Sequence, residues 1–342
     1  MTHVRYWVFN YMPEWEAVSK EIATLLDGLG DPLETSLISL NTADRRLQLS
    51  GRVRRVPLPY GLPFYPFVRR HAATADINHL FASAGERWLS PLLTRRGSVL
   101  TVAKGSGSLA VIARNVERLK AYQAVVVQSD RDRDLMRQVG VAETALHLIR
   151  PGVPLSPYRA ATGRFTILFA SSPLSAEDFL SRGIHLIVRV ASRLPDVRFI
   201  LVWRRRHVEM LRRMIAEAAV GNIEVEDGVI PDMGARYDRV HAAILPALEH
   251  RSFVPAPRSG LEALAHGKPL LVSTQVSIAP ALQASHAGVV FEPSVDGLES
   301  AVRQLHRSYD ALQPNAQRYL KENFSPSIHL ELHRRLYQSL GT

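Results

Sequence analysis

The chain has 342 residues, of which 46% are apolar, 42 are Lys or Arg and 32 are Asp or Glu, giving a formal charge of +10. This length suits one large or two ordinary domains with a packed core, and the composition excludes collagen-like, disordered and disulfide-stapled proteins. The absence of cysteine also excludes a thiol nucleophile and a zinc site built on thiolates.

Short apolar or β-branched runs alternate with longer amphipathic stretches along the first part of the chain. This alternation is typical of βα units that feed a parallel sheet. The predicted strands are 5–9, 35–40, 77–81, 99–103, 124–128 and 145–149. The predicted helices are 15–29, 109–120 and 130–139.

A second series of the same kind follows residues 150–163, where clustered prolines and glycines predict a break between domains. Its predicted strands are 165–170, 197–203, 223–226, 242–246, 269–273 and 288–291. Its predicted helices are 184–193, 207–218, 259–266 and 295–308, followed by a helical tail at 312–340 with a pause at Pro326. We therefore predict domains at 1–153 and 154–324, with a helix at 325–342 that packs back towards the first domain.

Two consecutive doubly wound domains predict where a ligand binds. In open parallel sheets the ligand lies beyond the carboxyl ends of the strands. Two sheets that face each other would therefore form a binding cleft, and a cleft that closes can exclude water from a reactive group.

The segment 255–273, PAPRSGLEALAHGKPLLVS, carries the strongest local signal. Pro257 precedes Arg258, Ser259 and Gly260, so a helix begins here whose first amides can bind phosphate. Glu262 lies one turn inside, where its carboxylate could accept hydrogen bonds from two sugar hydroxyls. Alternatively, Glu262 merely stabilises the helix N-terminus through the macrodipole.

The stretch LEALAHGKPLLVS resembles the nucleotide-sugar motif of family 4 glycosyltransferases, retaining enzymes with the GT-B fold. Further segments resemble the family in the same order: AVVVQSDRDRDLMRQVGV, LHLIRPGVP, SRGIHLIVRVASRLPDVRFILVW and DGVIPDMGARYDRVHAAILPA. The resemblance is good over residues 99–340 and weaker before them. It implies an α/β GT-B protein whose two Rossmann-like, doubly wound domains face each other across a cleft.

The resemblance implies a retaining, hexosyltransferase-type enzyme that uses a nucleotide-diphospho-sugar donor. Glu262 stands where the family holds the ribose of the donor nucleotide, and Arg182, before Gly183, stands where a lysine usually contacts the diphosphate. Val229 and Ile230 match the loop whose backbone meets the base.

The same likeness places Arg258, Ser259 and Gly260 at the phosphates. In place of the usual arginine after the first strand of the second domain, the chain has Ser171 and Ser172.

Several positions depart from the family pattern. The first glutamate of the paired-glutamate motif falls at Val254, in a variant Val-Pro-x-x-Ser approach to the helix. The histidine of the first domain falls near Ala103, which leaves Lys104 as the nearest polar side chain. We take Lys104, with Arg182 and Glu262, as a catalytic candidate, although Lys104 is equally explained as an exposed loop lysine.

The glycine pair that approaches phosphate in the first domain is replaced by Glu14, Trp15 and Glu16. Their negative charges would repel a diphosphate, so Lys104, Gly105 and Ser106 are predicted to face the phosphate or the acceptor instead. As a phosphate loop, KGSGS lacks the required Gly-Lys-Ser/Thr ending, and a short turn before a helix explains it as well.

Three alternatives stay open. A catalytically inactive GT-B-like binding or scaffold protein would explain the departures. Nucleic-acid binding rests on charge alone, and we expect no nucleic-acid partner.

The stretch 52–70, which mixes arginines with aromatics and prolines, fits either peripheral contact with a lipid headgroup layer or a proline-stiffened surface loop.

The expected partners are the donor and an acceptor whose identity the sequence does not show. We expect no cofactor, because no HExxH or similar metal pattern occurs and the nucleotide sugar is a substrate. The lack of a long apolar run and of a signal-peptide pattern favours a cytoplasmic protein, with contact at the inner face of the membrane left open.

Overall fold

A computed structural model of the chain describes residues 1–14, 16–40, 47–56, 64–94, 97–104, 109–171, 173, 175–204 and 206–341. The chain forms two compact units. The N-terminal unit consists of Met1–Gly152 with Pro326–Thr342, and the C-terminal unit consists of Val153–Ser325.

The N-terminal unit is built on a parallel sheet of seven strands in the order β3-β2-β1-β4-β5-β6-β7. Apolar side chains cover both faces of its central strands, as expected for a parallel sheet between helices, and the run AVVV of β6 is fully buried. The strands are β1 (Thr2–Val8), β2 (Leu33–Ser39), β3 (Val53–Arg55), β4 (Ile77–Ala82), β5 (Ser98–Val102), β6 (Ala124–Val127) and β7 (Leu146–Leu148).

Helices connect these strands. The first helix begins after Glu16, at the position where the resembling family has a glycine pair. The Glu16 carboxylate caps this helix by accepting a hydrogen bond from the Ser19 backbone N–H at 2.6 Å. The helices are α1 (Ala17–Gly28), α2 (Phe64–Ala72), α3 (Ser90–Leu93), α4 (Leu109–Lys120) and α5 (Asp130–Gln138).

The C-terminal unit contains a second parallel sheet, of six strands in the order β10-β9-β8-β11-β12-β13. Its strands are β8 (Thr166–Ala170), β9 (Arg198–Trp203), β10 (Ile223–Asp227), β11 (Ala242–Leu245), β12 (Leu270–Ser273) and β13 (Gly288–Phe291). Its helices are α6 (Ala176–Ser181), α7 (Ile184–Arg193), α8 (Val208–Glu217), α9 (Met233–Asp238), α10 (Arg258–Ala265), α11 (Ala279–Ala284), α12 (Val295–Arg307) and α13 (Tyr309–Phe324).

The last helix, α14 (Pro326–Leu340), belongs to the N-terminal unit, where it lies beside α1. Its inner face is polar as well as apolar. His329, His333 and Tyr337 are buried there, and the Tyr337 hydroxyl is hydrogen-bonded at 2.6 Å to Nδ1 of His79 from β4.

A buried lysine fixes a segment near the start of the C-terminal unit. Lys268 follows Gly267, which ends α10 with a φ of 71°, and its Nζ donates a hydrogen bond of 2.6 Å to the Arg159 carbonyl. The same ammonium lies 5.1 Å from the ring centroid of Tyr158, and burial lowers the pKa of Lys268 to about 8. Lys268 therefore holds residues 158–159 beside the end of α10.

The structure corrects the sequence analysis in short elements. Residues 52–70 are not one surface loop, because β3 and most of α2 lie within them, while residues 57–63 fall outside the described residues. The short helices α3, α6, α9 and α11 were not predicted either. Each spans six residues or fewer, too few for a helical period to show in the sequence.

The buried histidines of the N-terminal unit predict acid sensitivity. Burial lowers the pKa of His79 and of His333 well below the ordinary value, so both are neutral in the folded unit. The unfolded chain binds their protons at a pKa of about 6.5. Stability is therefore fully present above this pH and falls below it, by about 1.4 kcal/mol per pH unit for each histidine.

We expect the thermal unfolding midpoint to decrease as the pH is lowered from 7 to 5. The decrease should be smaller in His79→Gln than in the unaltered protein. Replacing the exposed His286 with Asn, which tolerates the φ of 52° at that position, is the matched control. An equal pH slope in His79→Gln and the unaltered protein would contradict this account.

Candidate functional site

The order of the second sheet defines a crevice at the carboxyl ends of its strands. From β8 the chain moves to β9 and β10 on one side, and it then returns to β11, β12 and β13 on the other. The connections that leave β8 and β11 therefore run in opposite directions. In open α/β sheets, ligands bind in the crevice between two such neighbouring strands. Ser171 follows β8, Arg204 follows β9 and Gly228 follows β10, so all three lie at this edge.

A glycine allows Arg182 to reach the crevice. Gly183 has a φ of 71°, and a Cβ atom there would lie 1.9 Å from the Pro246 carbonyl oxygen. The Leu248 N–H donates to the Ser181 carbonyl at 2.7 Å, and the Ser252 hydroxyl donates to the same oxygen at 2.8 Å. The end of α6 is thus fixed against the segment that follows β11.

The guanidinium of Arg182 is largely buried and only partly neutralised. It donates to the Ser171 hydroxyl, lies 3.7 Å from the Asp178 carboxylate and lies 5.3 Å from the Phe253 ring centroid. Its Nε–H is buried and has no hydrogen-bond partner among the described residues. Burial, aided by the nearby charge of Arg204, lowers the pKa of Arg182, so an anion that pairs with it would be stabilised.

The first turn of α10 presents backbone donors at the same edge. Pro257 is the N-cap and supplies no side-chain cap, and its carbonyl accepts from the amides of Gly260 and Leu261 at 3.0 and 3.1 Å. In the described part of the chain, the Ser259 amide has no hydrogen-bond acceptor. Such a helix start, with its positive dipole end, can bind an anion.

The carboxylate of Glu262 is oriented through both of its oxygens. Nε of Arg258 donates to Oε1 at 3.1 Å, and the Tyr237 hydroxyl lies 3.5 Å from Oε2. The same hydroxyl donates to the Ser259 carbonyl at 3.0 Å, so Tyr237 joins Glu262 to the first turn of α10. The guanidinium of Arg258 is therefore engaged with Glu262.

Sequence reasoning missed Tyr237. It lies on the unpredicted helix α9, is fully buried, and stacks on His266 with ring centroids 5.2 Å apart. Burial and the neighbouring Glu262 raise the pKa of Tyr237 well above the ordinary value, so its hydroxyl stays a donor. No local sequence pattern predicts the contact between Tyr237 and Glu262, because the two residues are 25 positions apart.

Val229 and Ile230 follow Gly228 beyond β10. Gly228 has a φ of 125°, and its N–H donates to the Trp203 carbonyl at 2.7 Å, which ties the turn to β9. Val229 is 68% exposed, whereas Ile230 packs partly against the core. Val229 is thus exposed where the chain leaves the end of the sheet.

The remaining predicted residues are less informative. Ser172, Gly105 and Ser106 lie outside the described residues. Lys104 is exposed after β5 in the N-terminal unit, and Ala103 is buried in the core of that unit. The described candidates that contact one another lie in the C-terminal unit, where Arg182 donates to Ser171 and Arg258 donates to Glu262.

No group of three or more His, Asp or Glu side chains among the described residues is arranged to hold a metal ion. Among the helices of the same residues, none combines the length and the apolar character needed to span a bilayer.

Comparison with known proteins gives a family match in the C-terminal unit. The family model described as Glycosyl transferases group 1 matches residues 164–308, within the C-terminal unit. A search of curated proteins found no significant match.

Solved structures share the fold over nearly the whole chain. Anabaena HepE in complex with UDP-glucose has a TM-score of 0.77 at 14% identity, covering 99% of this chain and 100% of HepE. Sucrose-phosphate synthase from Thermosynechococcus elongatus has a TM-score of 0.76 at 16% identity over 99% and 100% of the two chains. WaaG, a glycosyltransferase involved in lipopolysaccharide biosynthesis, has a TM-score of 0.71 at 13% identity over 98% and 99%.

The two parallel-sheet units and these structural neighbours establish the GT-B fold. With the glycosyl transferase domain in the C-terminal unit, they identify the chain as a glycosyltransferase.

The short distance between Gly183 and the Pro246 carbonyl predicts that a single added methyl group strongly destabilises the C-terminal unit. In Gly183→Ala, the Cβ would overlap the Pro246 carbonyl, and alanine would be strained at a φ of 71°. We expect a loss of about 2 kcal/mol or more in the stability of the C-terminal unit, measured by thermal unfolding. Gly221→Ala, where the added atom has nothing within 4 Å, is the matched control and should unfold normally. Equal midpoints for the two variants would refute the contact.

Proposed function

We propose that the chain is a retaining, family 4-like glycosyltransferase that moves a sugar from a nucleotide-diphospho-sugar to an acceptor hydroxyl. The donor would bind in the C-terminal unit. One observation carries this proposal: a buried, partly neutralised Arg182, the open start of α10 and an oriented Glu262 occupy one edge of one sheet. The UDP-glucose bound to HepE supports a nucleoside diphosphate sugar as donor.

The residues at this edge would each bind a different part of the donor. Arg182 and the Ser259 amide would contact the diphosphate, since one supplies a desolvated charge and the other a helix-terminal donor. The Glu262 carboxylate would accept hydrogen bonds from the two ribose hydroxyls, because Arg258 and Tyr237 hold it in place. The backbone at Val229 and Ile230 would meet the base.

In the transfer step, the bond between the anomeric carbon and the diphosphate oxygen breaks and its electron pair stays on that oxygen. The acceptor oxygen forms the new bond to the anomeric carbon, and its proton passes to the departing diphosphate. Arg182 and the amide donors would stabilise the developing negative charge without reorganising. We therefore propose transfer without a metal ion, and retention of configuration follows from the family 4 resemblance.

Lys104 is proposed to act on the acceptor side, as an exposed cation at the carboxyl end of β5. A specific observation also favours a second candidate, a GT-B protein that binds the donor without turnover. Ala103 replaces the family histidine and is buried, so it offers no polar group to the reaction. Donor binding without transfer to any acceptor would favour this second function.

Removing the Glu262 carboxylate should abolish most donor binding. We expect UDP to raise the unfolding midpoint of the unaltered protein by mass action and to do so far less in Glu262→Ala, whose affinity should fall about tenfold or more. The matched control is Glu217→Ala, an exposed glutamate at the end of α8. An equal UDP shift in a folded Glu262→Ala would exclude the assigned role.

We also propose peripheral contact with an anionic membrane, through the end of α2. Arg69 and Arg70 are exposed in its last turn, and Tyr65 is half-exposed one turn before them. Two other arginines of the basic stretch are less available to a membrane surface, because they are engaged within the protein. Arg52 donates to the Leu26 carbonyl, and Arg55 donates to the Gln48 side chain.

Changing Arg69 and Arg70 to Ser should weaken sedimentation with phosphatidylglycerol vesicles about tenfold or more, at about 1 kcal/mol per basic residue. The double change of Arg212 and Arg213 to Ser on α8 removes the same charge from the other unit and serves as the control. If both pairs behave alike, the end of α2 is not the contact.

A further inference from the structure

An extended segment lies along the outer edge of the N-terminal sheet. Strand β3 is the edge strand, and Gln48 pairs antiparallel with Arg55, the last residue of β3. The backbone N–H groups of Gln48 and Arg55 each donate to the carbonyl of the other residue at 2.8 Å. Residues 47–49 therefore join β3 in a short antiparallel ribbon.

Two leucines of this ribbon are exposed on one face. Leu47 and Leu49 are 63% and 56% exposed. They flank Gln48, and alternate residues of an extended segment point to the same side. Because Gln48 lies opposite Arg55, the two leucines share the face of Arg54, the residue before Arg55. Two large apolar side chains thus lie together on the face that carries this arginine.

Helix α2 covers the same face of the sheet. Arg54 is in register with Ile38 of β2, and residues in register on neighbouring strands point to the same face. Ile38 belongs to the core cluster that contains Phe64 and Val68 of α2. The exposed leucines, Arg54 and α2 are therefore on one side of the N-terminal unit.

Positive charges gather on this side. Burial lowers the pKa of His71 on α2, and the nearby charges of Arg5, Arg54 and Arg70 lower it further. Arg5 is buried, and Glu34 of β2 offsets part of its charge. Arg70 is exposed and Arg54 is half-buried, so both can reach a ligand outside the protein. Exposed apolar side chains and accessible cations thus share one surface.

We propose that this surface docks on an anionic bilayer, with Leu47 and Leu49 inserted below the lipid headgroups. The docking rests on the membrane contact proposed above for the end of α2 and supplies its apolar part. Apolar side chains that penetrate the interface beside basic ones that contact lipid phosphates are typical of peripheral membrane binding. A bilayer fits better than a protein partner, because two leucines cover much less than the roughly 1,200 Å² that a stable interface buries.

Vesicle sedimentation of the full chain tests the role of the leucines. Changing Leu47 and Leu49 to Ser should weaken binding to phosphatidylglycerol vesicles about tenfold or more, although every arginine is retained. The matched control changes Leu155 and Ile328 to Ser, because these exposed apolar residues lie elsewhere in the chain. Circular dichroism and the unfolding midpoint show whether each variant is folded.

A fluorescent label reports insertion directly, because the chain has no cysteine and a single introduced thiol is labelled alone. We expect an NBD label on Leu49→Cys to show brighter, blue-shifted emission with phosphatidylglycerol vesicles, and quenchers attached to the lipid chains should reduce it. The same label on Leu155→Cys should stay in water.

Three results would overturn the inference. They are equal sedimentation of the folded leucine variant and the unaltered protein, a label at position 49 that stays in water on sedimented protein, and a spectral shift that appears with protein concentration in the absence of vesicles. The last result would indicate a second copy of the chain as the partner.

The experiment also separates this inference from the earlier proposals. Sedimentation that is lost on changing Arg69 and Arg70 but kept in the leucine variant refutes insertion and leaves the contact of α2. Insertion of the label with no effect of the arginine change supports the leucines and refutes the contact of α2. UDP stabilisation of the unaltered protein is measured in parallel, and its absence refutes the donor site only.

Discussion

The site depends on the parallel pairing of the second sheet with β8 in its interior. Because every strand of this sheet runs the same way, the residues after β8, β9, β10 and β11 all leave at one edge. The divergence of the chain between β8 and β11 leaves that edge open. Gly183 fixes the chain beside this opening, since a Cβ there would lie 1.9 Å from the Pro246 carbonyl oxygen, and the next residue back, Arg182, donates to Ser171 after β8.

The charged groups at this edge have different partners. Glu262 is paired with Arg258, whereas Arg182 has the more distant carboxylate of Asp178 and a buried Nε–H. The edge therefore holds both an oriented carboxylate and a poorly solvated guanidinium. The corresponding edge of the N-terminal unit is different, because Glu16 fills its helix start.

Most long elements, including the helix that carries Glu262, could be predicted from sequence, because apolar periodicity and the proline and glycine that flank this helix are local features. The strands β4 and β13 and the helices α4 and α7 were predicted within about one residue of the observed ends. What joins distant segments could not be predicted. Tyr237 beside Glu262, Lys268 on the Arg159 carbonyl and His79 on Tyr337 are contacts between side chains or carbonyls that only the folded chain brings together.

Hydrogen–deuterium exchange of the full chain with and without UDP tests the central claim most directly, that a nucleoside diphosphate binds at the carboxyl edge of the second sheet. Bound ligand slows the opening of the backbone that it contacts. The account predicts protection in the segments that follow β8, β9 and β10, around Arg182 and in the first turn of α10. Protection confined to the segments after β1 and β4, or no protection anywhere, would contradict it.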